Sequence, residues 1–369
     1  MKPRIAIIIP GGIGTGHNNI GVPVLERIVK LLSEDFEITV FSLFKVNESY
    51  KQENFELISI SGSGTLVKIL KFIALFIRHH RKKNFQIIHG FWALPSGALA
   101  VVMGKMFRLK SIISVLGGDA ISLPEIKYGQ LQKKVSRTLI LWSLSRADEV
   151  IALTRYLSDN LKGYGISREI KIIPWGIDTT LFSFKDRMLS NPIQFLHIAN
   201  LNEVKDQSTM LRAYKIINDK VQGTLSIIGE GSLENRIRSL VDELGLTEKV
   251  NFLGILPYEK LPYHYHNADI LLHTSLSEGQ SEVVTEAMSS GVIVCGTRVG
   301  LLYDEPECCV SVPLRDFQGL ANEVLRLFND PERMKKIKSN ARSWTSYHSI
   351  QWTVKMIGES YRYLLRSKA

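Results

Sequence analysis

Short β-branched apolar runs recur along the chain, each followed by a longer stretch with helical spacing of apolar positions. In the first half the runs are Ile5–Ile9, Ile38–Phe41, Ile58–Ile60, Ile87–His89, Ile112–Val115, Val150–Leu153 and Ile170–Ile173. In the second they are Gln194–Ile198, Leu225–Ile228, Val250–Leu253, Ile270–Leu272 and Val292–Cys295. Apolar runs of this length suit strands buried on both faces, and their alternation with helices predicts mostly parallel, doubly wound α/β sheets. At 369 residues the chain exceeds one ordinary α/β domain and suits two. The turn-rich stretch from Pro174 to Phe182 separates the two series. The expected organisation is a first domain over 1–175, a linker over 176–190, a second domain over 191–345 and a terminal helix over 346–369.

Composition adds a compartment and an asymmetry. Three cysteines, Cys295, Cys308 and Cys309, give no disulfide framework, which fits a reducing cytoplasm. The run Ile5–Ile9 is too short for a signal peptide, and no apolar stretch approaches the ~18 residues of a spanning helix. Residues 1–185 hold 25 Lys/Arg and 14 Asp/Glu, whereas residues 186–369 hold 21 and 22. The excess positive charge therefore lies in the first half, which points to an anionic partner there. The stretch from Thr65 to Phe85 is the densest case, an apolar helix ending in Arg78-His79-His80-Arg81-Lys82-Lys83. Lys68, Lys71, Arg78 and Lys82 share one stripe, as on a helix lying at an anionic membrane surface; a core helix with a solvated end is the competing reading. Aromatic and basic residues are not interleaved as nucleic-acid binding requires, so no nucleic-acid partner is expected.

The most informative segment runs from Ser277 to Cys295. It reads as a polar loop, a short helix starting after Gly279, a capping Gly291 and the strand Val292–Cys295. Glu278 and Glu286 thus sit near one helix N-terminus, whose free N–H groups suit a phosphate. Carboxylates beside a phosphate site are placed to accept hydrogen bonds from ribose or sugar hydroxyls. Either Glu alone is explained by solvation or the helix dipole; the whole arrangement is not. It resembles the E-x7-E signature of retaining glycosyltransferases of the GT-B fold, family 4. That resemblance implies two Rossmann-like doubly wound domains facing a deep cleft, with a C-terminal helix crossing back to the first domain. It assigns Glu278 to the donor sugar and Glu286 to the nucleotide ribose, with Gly279, Gln280, Ser281, Glu282 and Val283 also on the donor side.

The same resemblance reaches other loops, with departures. His197 to Asp206 resembles the donor-phosphate segment, where an Arg and a Lys neutralise the diphosphate; Lys205 matches, but Asn200 stands at the Arg position. Asn donates a hydrogen bond without supplying charge. Gly229, in Ile228-Gly229-Glu230-Gly231, resembles the loop near the nucleotide base. In the first half, Pro10-Gly11-Gly12-Ile13-Gly14-Thr15-Gly16-His17 lacks the last Gly of a dinucleotide fingerprint, and no acidic residue ends the second strand, which disfavours an NAD enzyme. Gly14 and Gly16 instead suit a backbone cradle for the donor diphosphate. Leu116-Gly117-Gly118-Asp119 resembles the family's His-Gly-x-Asp stretch with Leu116 in place of His. Asp119, with Glu278 and Lys205, completes the expected catalytic set. His17, His89 and Trp92 are acceptor-side candidates.

No D-x-D pair occurs in the chain, which agrees with metal-free stabilisation of the leaving group by Lys205 and helix N-termini. The expected function is transfer of a sugar from a nucleotide-sugar donor to a saccharide or lipid-linked acceptor, with retention of configuration and no cofactor. Surface polysaccharide or glycolipid synthesis is the expected setting. The expected location is cytoplasmic, with peripheral attachment to the inner face of the membrane as a further expectation. A phosphorylase or nucleotide-sugar epimerase of the same fold is the alternative enzyme, and a non-catalytic binding protein using the basic half is the alternative of another class.

Overall fold

The structure, a computed structural model, describes residues 2–15, 21–51 and 54–367. These form two units. One comprises Met1–Leu153, Leu157–Pro174 and Ile350–Ala369; the other comprises Thr154–Tyr156 and Trp175–Ser349.

In the first unit the apolar runs become strands β1 (Arg4–Ile9), β2 (Glu37–Ser42), β3 (Glu56–Ser59), β4 (Ile87–Phe91), β5 (Lys110–Val115), β6 (Glu149–Ala152) and β7 (Lys171–Ile172). They form a seven-stranded sheet ordered β3-β2-β1-β4-β5-β6-β7, with parallel pairing throughout. In register, Ile5 faces Ile38 and Ile7 faces Val40. Every residue from Ile5 to Ile9 is buried, as the unbroken apolar run requires of a central strand.

The helix Ile350–Arg366 belongs to this unit although it is last in sequence, so the chain does cross back. Tyr361 is fully buried, with its hydroxyl 2.8 Å from His89 Nδ1 and its ring edge-on to Phe36 at 5.2 Å. Lys171 Nζ donates to Ser360 Oγ at 2.7 Å on the same helix. The aromatic-rich end of the chain is two helices, because the helix Pro331–Tyr347 stops at His348. Trp344 and Tyr347 lie on that earlier helix of the second unit, and Trp352, Tyr361 and Tyr363 on the final one.

The second unit holds β8 (Ile193–Ile198), β9 (Gly223–Ile228), β10 (Val250–Phe252), β11 (Ile270–His273), β12 (Ile293–Thr297) and β13 (Val310–Val312). Their order is β10-β9-β8-β11-β12-β13, again parallel. Strand β13 reads Val310-Ser311-Val312, and its polar middle residue leaves no unbroken apolar run to announce it. The stretch expected as a linker packs here instead: Phe182 is fully buried, and its carbonyl accepts from Ser289 Oγ at 2.6 Å.

Strand order reverses between β1 and β4 in the first unit and between β8 and β11 in the second. In open parallel sheets the crevice outside the strand carboxyl ends at such a reversal is where ligands bind. The loops leaving those strands are residues 10–15 and 92–97 in one unit, and 199–206 and 274–281 in the other.

Candidate active site

In the second unit, the loop after β8 tightens into a one-turn helix, Glu203–Lys205, followed by Asp206 in a left-handed conformation. Asp206 caps the helix Gln207–Asn218, its carboxylate accepting from Thr209 Oγ1 at 2.7 Å. The residues leaving β11 hold this turn in place. Thr274 Oγ1 donates to the carbonyls of Lys205 (3.2 Å) and Asp206 (2.9 Å), and Leu276 N donates to Val204 O at 2.7 Å. Beneath the loop, His197 Nδ1 donates to Leu272 O at 2.9 Å, and Gln207 Nε2 reaches both His197 Nε2 and Asn200 O. Burial lowers the His197 pKa to about 4, so its ring is a neutral brace between the two strands.

Glu278 meets Lys205 directly. Its Oε1 accepts from Lys205 Nζ at 2.5 Å and from Ser275 Oγ at 2.6 Å, and lies 3.2 Å from His273 Nε2. Burial opposes ionisation of Glu278, but Lys205 and His273 outweigh it and hold the carboxyl well below the usual carboxylate range. Gly300 fixes where this carboxylate stands. It has φ of 53°, and a Cβ there would lie 2.8 Å from Glu278 Cβ and 2.9 Å from Gln280 O.

The helix that follows spans Glu282–Ser290. Its N-cap, Ser281, has φ of 80° and makes no side-chain cap bond; its carbonyl accepts from Val284 N at 3.2 Å, which leaves the amides of Glu282 and Val283 for another partner. Gly291 closes the helix in the left-handed region, as its place in the sequence predicts. Glu286 is 2 % exposed, with Oε2 accepting from the Tyr265 hydroxyl at 2.7 Å. Burial raises its pKa to about 7, against hydrogen bonds from Tyr265 and Tyr258. Burial and the neighbouring Glu286 and Glu278 push Glu282 up to about 8. One helix end therefore gathers a fixed anion, its lysine partner, free amides and two carboxyls that titrate near neutrality. This set can neutralise a diphosphate and accept hydrogen bonds from vicinal hydroxyls.

Other expected positions sort by what the structure asks of them. Gly229 has φ of 130°, and a Cβ there would lie 2.0 Å from Ala199 O, so it lets the two loops close on each other. Leu201 N donates to Glu230 O at 2.9 Å across the same junction, and Asn200 is left exposed beside it. Gly279 is buried, whereas Ser281 and Val283 are half-buried. Gln280 departs from the expected donor contact: its side chain accepts from Trp175 N (2.8 Å) and donates to Trp175 O (2.7 Å), pairing like a strand residue. Arg298, on the loop after β12, is exposed with Nε 3.4 Å from Ser311 Oγ.

In the first unit, Gly14 has φ of 59° and packs on Tyr50 and Val46. Gly16 and His17 lie outside the described residues. Asp119 is 1 % exposed, and its oxygens accept from the amides of Ala93 (2.7 Å), Gly117 (2.8 Å) and Leu116 (3.1 Å). Burial raises its pKa against these amides, through which it ties two loops together. His89 is corrected from a candidate site residue to a core residue. It is fully buried, its Nε2 is 2.8 Å from Ser114 Oγ, its Nδ1 is taken by Tyr361, and burial lowers its pKa to about 3. Trp92, by contrast, lines a cavity together with Pro10 and Asp119.

His273, Thr274, Ser275, Tyr265 and Gly300 are the site residues that the sequence reading passes over. The first three follow directly from the β11 run, whose carboxyl end is a ligand edge in any doubly wound sheet. Tyr265 and Gly300 carry no such local signal.

Comparison with known proteins identifies the family and the fold. The family model described as Glycosyl transferases group 1 matches residues 178–344, and that described as Glycosyltransferase Family 4 matches residues 22–181. N-acetyl-alpha-D-glucosaminyl L-malate synthase of Bacillus anthracis is 24% identical, over 93% of this chain and 92% of its own. N-acetylgalactosamine-N,N'-diacetylbacillosaminyl-diphospho-undecaprenol 4-alpha-N-acetylgalactosaminyltransferase of Campylobacter jejuni is 25% identical, over 93% and 95%. Among solved structures, Anabaena HepE in complex with UDP superposes with a TM-score of 0.77 at 19% identity, covering 98% of this chain and 100% of that one. With matched families on both sides of Asp178 and the fold of known glycosyltransferases in each unit, this chain belongs to the group 1 glycosyltransferases of the GT-B fold.

Proposed function

We propose that the second unit binds a nucleotide sugar and that the protein transfers its sugar, with retention of configuration, to a saccharide or lipid-linked acceptor held by the first. The observation that carries this reading is the Lys205–Glu278 pair beside the uncapped start of the helix Glu282–Ser290. In the proposed site Lys205 Nζ and the free amides take the diphosphate, Glu286 accepts from the ribose hydroxyls, and Glu278 accepts from the sugar. The anomeric C–O bond to phosphate breaks as a bond to the acceptor oxygen forms on the same face. The acceptor proton passes to a phosphate oxygen of the departing nucleotide. Lys205 and the amides meet charge where it develops, which lowers the barrier without a covalent intermediate.

The absence of a D-x-D pair from the sequence supports a metal-independent reaction, so transfer in EDTA at the rate seen with added Mg²⁺ or Mn²⁺ is expected. Among the described residues no helix is long and apolar enough to cross a membrane. Free, buried Cys295, Cys308 and Cys309 suit the cytoplasm we assign to the protein. The test is thermal stabilisation by a panel of UDP-, GDP- and ADP-sugars, followed by NMR assignment of the product anomer from the sugar that stabilises. An inverted anomer would refute retention; stabilisation by none of the panel would refute the donor site.

A further inference from the structure

The first unit contains a cavity of about 1180 Å³ at the carboxyl end of its sheet, larger than most small-molecule sites. The helices Thr65–Lys83, Ala98–Phe107 and Lys134–Arg146 all contribute to its wall. Its apolar lining includes Ile69, Leu94, Leu99, Val102, Leu139 and Trp142. The polar lining falls mainly in one segment, from Lys127 to Ser136, with Lys68 on the first helix. The lining carries three lysines, Lys68, Lys127 and Lys133, against one carboxylate, Asp119, whose oxygens are already engaged by three backbone amides. Lys68 sits over the Phe44 ring at 4.6 Å.

The same three helices that wall this cavity also leave apolar side chains in water. Leu66 is 69% exposed, Leu70 59%, Met106 59% and Val135 74%. Within the helix Thr65–Lys83, Phe72 and Phe76 face the core, so its outer apolar positions are surplus to folding. Apolar exposure of this extent beside a cavity marks a binding surface. A sugar ring alone needs neither the volume nor the apolar walls, and a lone anion needs neither.

We propose that this cavity binds an amphiphilic acceptor, an aliphatic chain joined through a phosphate to the group that receives the sugar. The chain lies along Ile69, Leu99, Val102 and Leu139, and the phosphate meets Lys68, Lys127 and Lys133. The apolar rim rests on the lipid leaflet from which the acceptor is drawn. This deepens the glycosyltransferase reading and rests on it, by choosing the lipid-linked class of acceptor.

Dodecyl phosphate, kept below its micellar concentration, is the probe. Its binding to the full-length protein is followed through the fluorescence of Trp92 and Trp142, which both line the cavity. Dodecyl maltoside and inorganic phosphate are the comparison ligands. The expected result is saturable binding of dodecyl phosphate at least tenfold tighter than dodecyl maltoside, with no competition from equimolar inorganic phosphate. Lys127→Glu with Lys133→Glu should weaken dodecyl phosphate at least tenfold and leave dodecyl maltoside unchanged. Val102→Asp should weaken both amphiphiles. Equal affinity for the two amphiphiles, or indifference to the lysine substitutions, would overturn the proposal; equal competition by inorganic phosphate would reduce the site to an anion site and overturn it as well. Thermal stabilisation by nucleotide sugars is measured on the same samples. Stabilisation without selective dodecyl phosphate binding sinks the acceptor proposal alone, whereas its absence from the unsubstituted protein sinks the donor reading.

Discussion

Lys205 Nζ lies 2.5 Å from Glu278 Oε1, joining two loops separated by 73 residues of sequence. The loops leave β8 and β11, the two strands between which the sheet order reverses. The pair therefore places one charge of each sign where a doubly wound sheet receives its ligand. Both side chains are largely shielded, at 21% and 11% exposure, so removing either one strands the other.

Lys205→Ala should weaken binding of the nucleoside diphosphate while leaving the nucleoside unaffected. A hydrogen bond to a charged group contributes about 1.5–3 kcal/mol, so a loss of about ten- to a hundredfold is expected by calorimetry. Glu278→Gln should lower kcat with less effect on diphosphate affinity, because the lysine stays. Equal loss of nucleoside and diphosphate binding in Lys205→Ala would contradict the assigned contact.

The site should also respond to pH. The buried carboxyl of Glu286 has its pKa raised to about 7, so the folded state holds a proton that the unfolded chain releases near 4.5. Between those values folding takes up protons, and this group's contribution to stability falls as pH rises, levelling off above about 7. Glu278 is shifted the other way: its contribution is present above the unfolded value and is lost on acidification through its depressed pKa. Glu286→Gln should therefore flatten the fall in Tm between pH 5 and 8. In the unsubstituted enzyme, donor KM should drop as pH rises through 7, because an ionised Glu286 accepts from hydroxyls better. A donor KM that is flat with pH would count against the ribose contact.

Gly300→Ala probes placement without touching a charged group. The added Cβ would come within 2.8 Å of Glu278 Cβ, at a φ of 53° that alanine rarely adopts. The Glu278 loop must shift to relieve the contact, and misplaced catalytic geometry is expensive in rate. We expect kcat/KM to fall at least about tenfold, with a strain cost of about 1–3 kcal/mol in stability. A full loss of stability with unchanged activity in the folded fraction would argue that Gly300 serves packing alone.

His89→Ala separates core from site. The ring stacks on Phe91 at 4.2 Å and bonds Tyr361 and Ser114, so its loss leaves a cavity and two buried hydroxyls short of a partner. Destabilisation of about 2–4 kcal/mol is expected, with unchanged nucleotide-sugar affinity in the folded protein. A specific fall in kcat at full stability would return His89 to the active site.

The apolar runs and their spacing announce most strands of both sheets, because a parallel strand buried on both faces must be apolar throughout. The Glu278–Gly291 segment is equally legible: helix start, helix stop and the carboxylates flanking it are local matters of sequence spacing. Lys205 is visible by its place after a strand. What separates Trp92, at the cavity, from His89, in the core, is not local at all, since the histidine's two nitrogens are consumed by Tyr361 of the final helix and Ser114 of the neighbouring strand β5. Gln280 looks like a ligand residue until Trp175, distant in sequence, takes its amide. Asp119 looks catalytic until three loop amides claim its oxygens. The sequence by itself determined the fold and the reaction class and pointed to one helix end as the candidate site, because those depend on periodicity and short-range spacing. The tertiary structure alone decided which polar side chains are free to meet a ligand, because a hydrogen-bonding group's capacity is spent on whatever the fold brings within 3 Å of it.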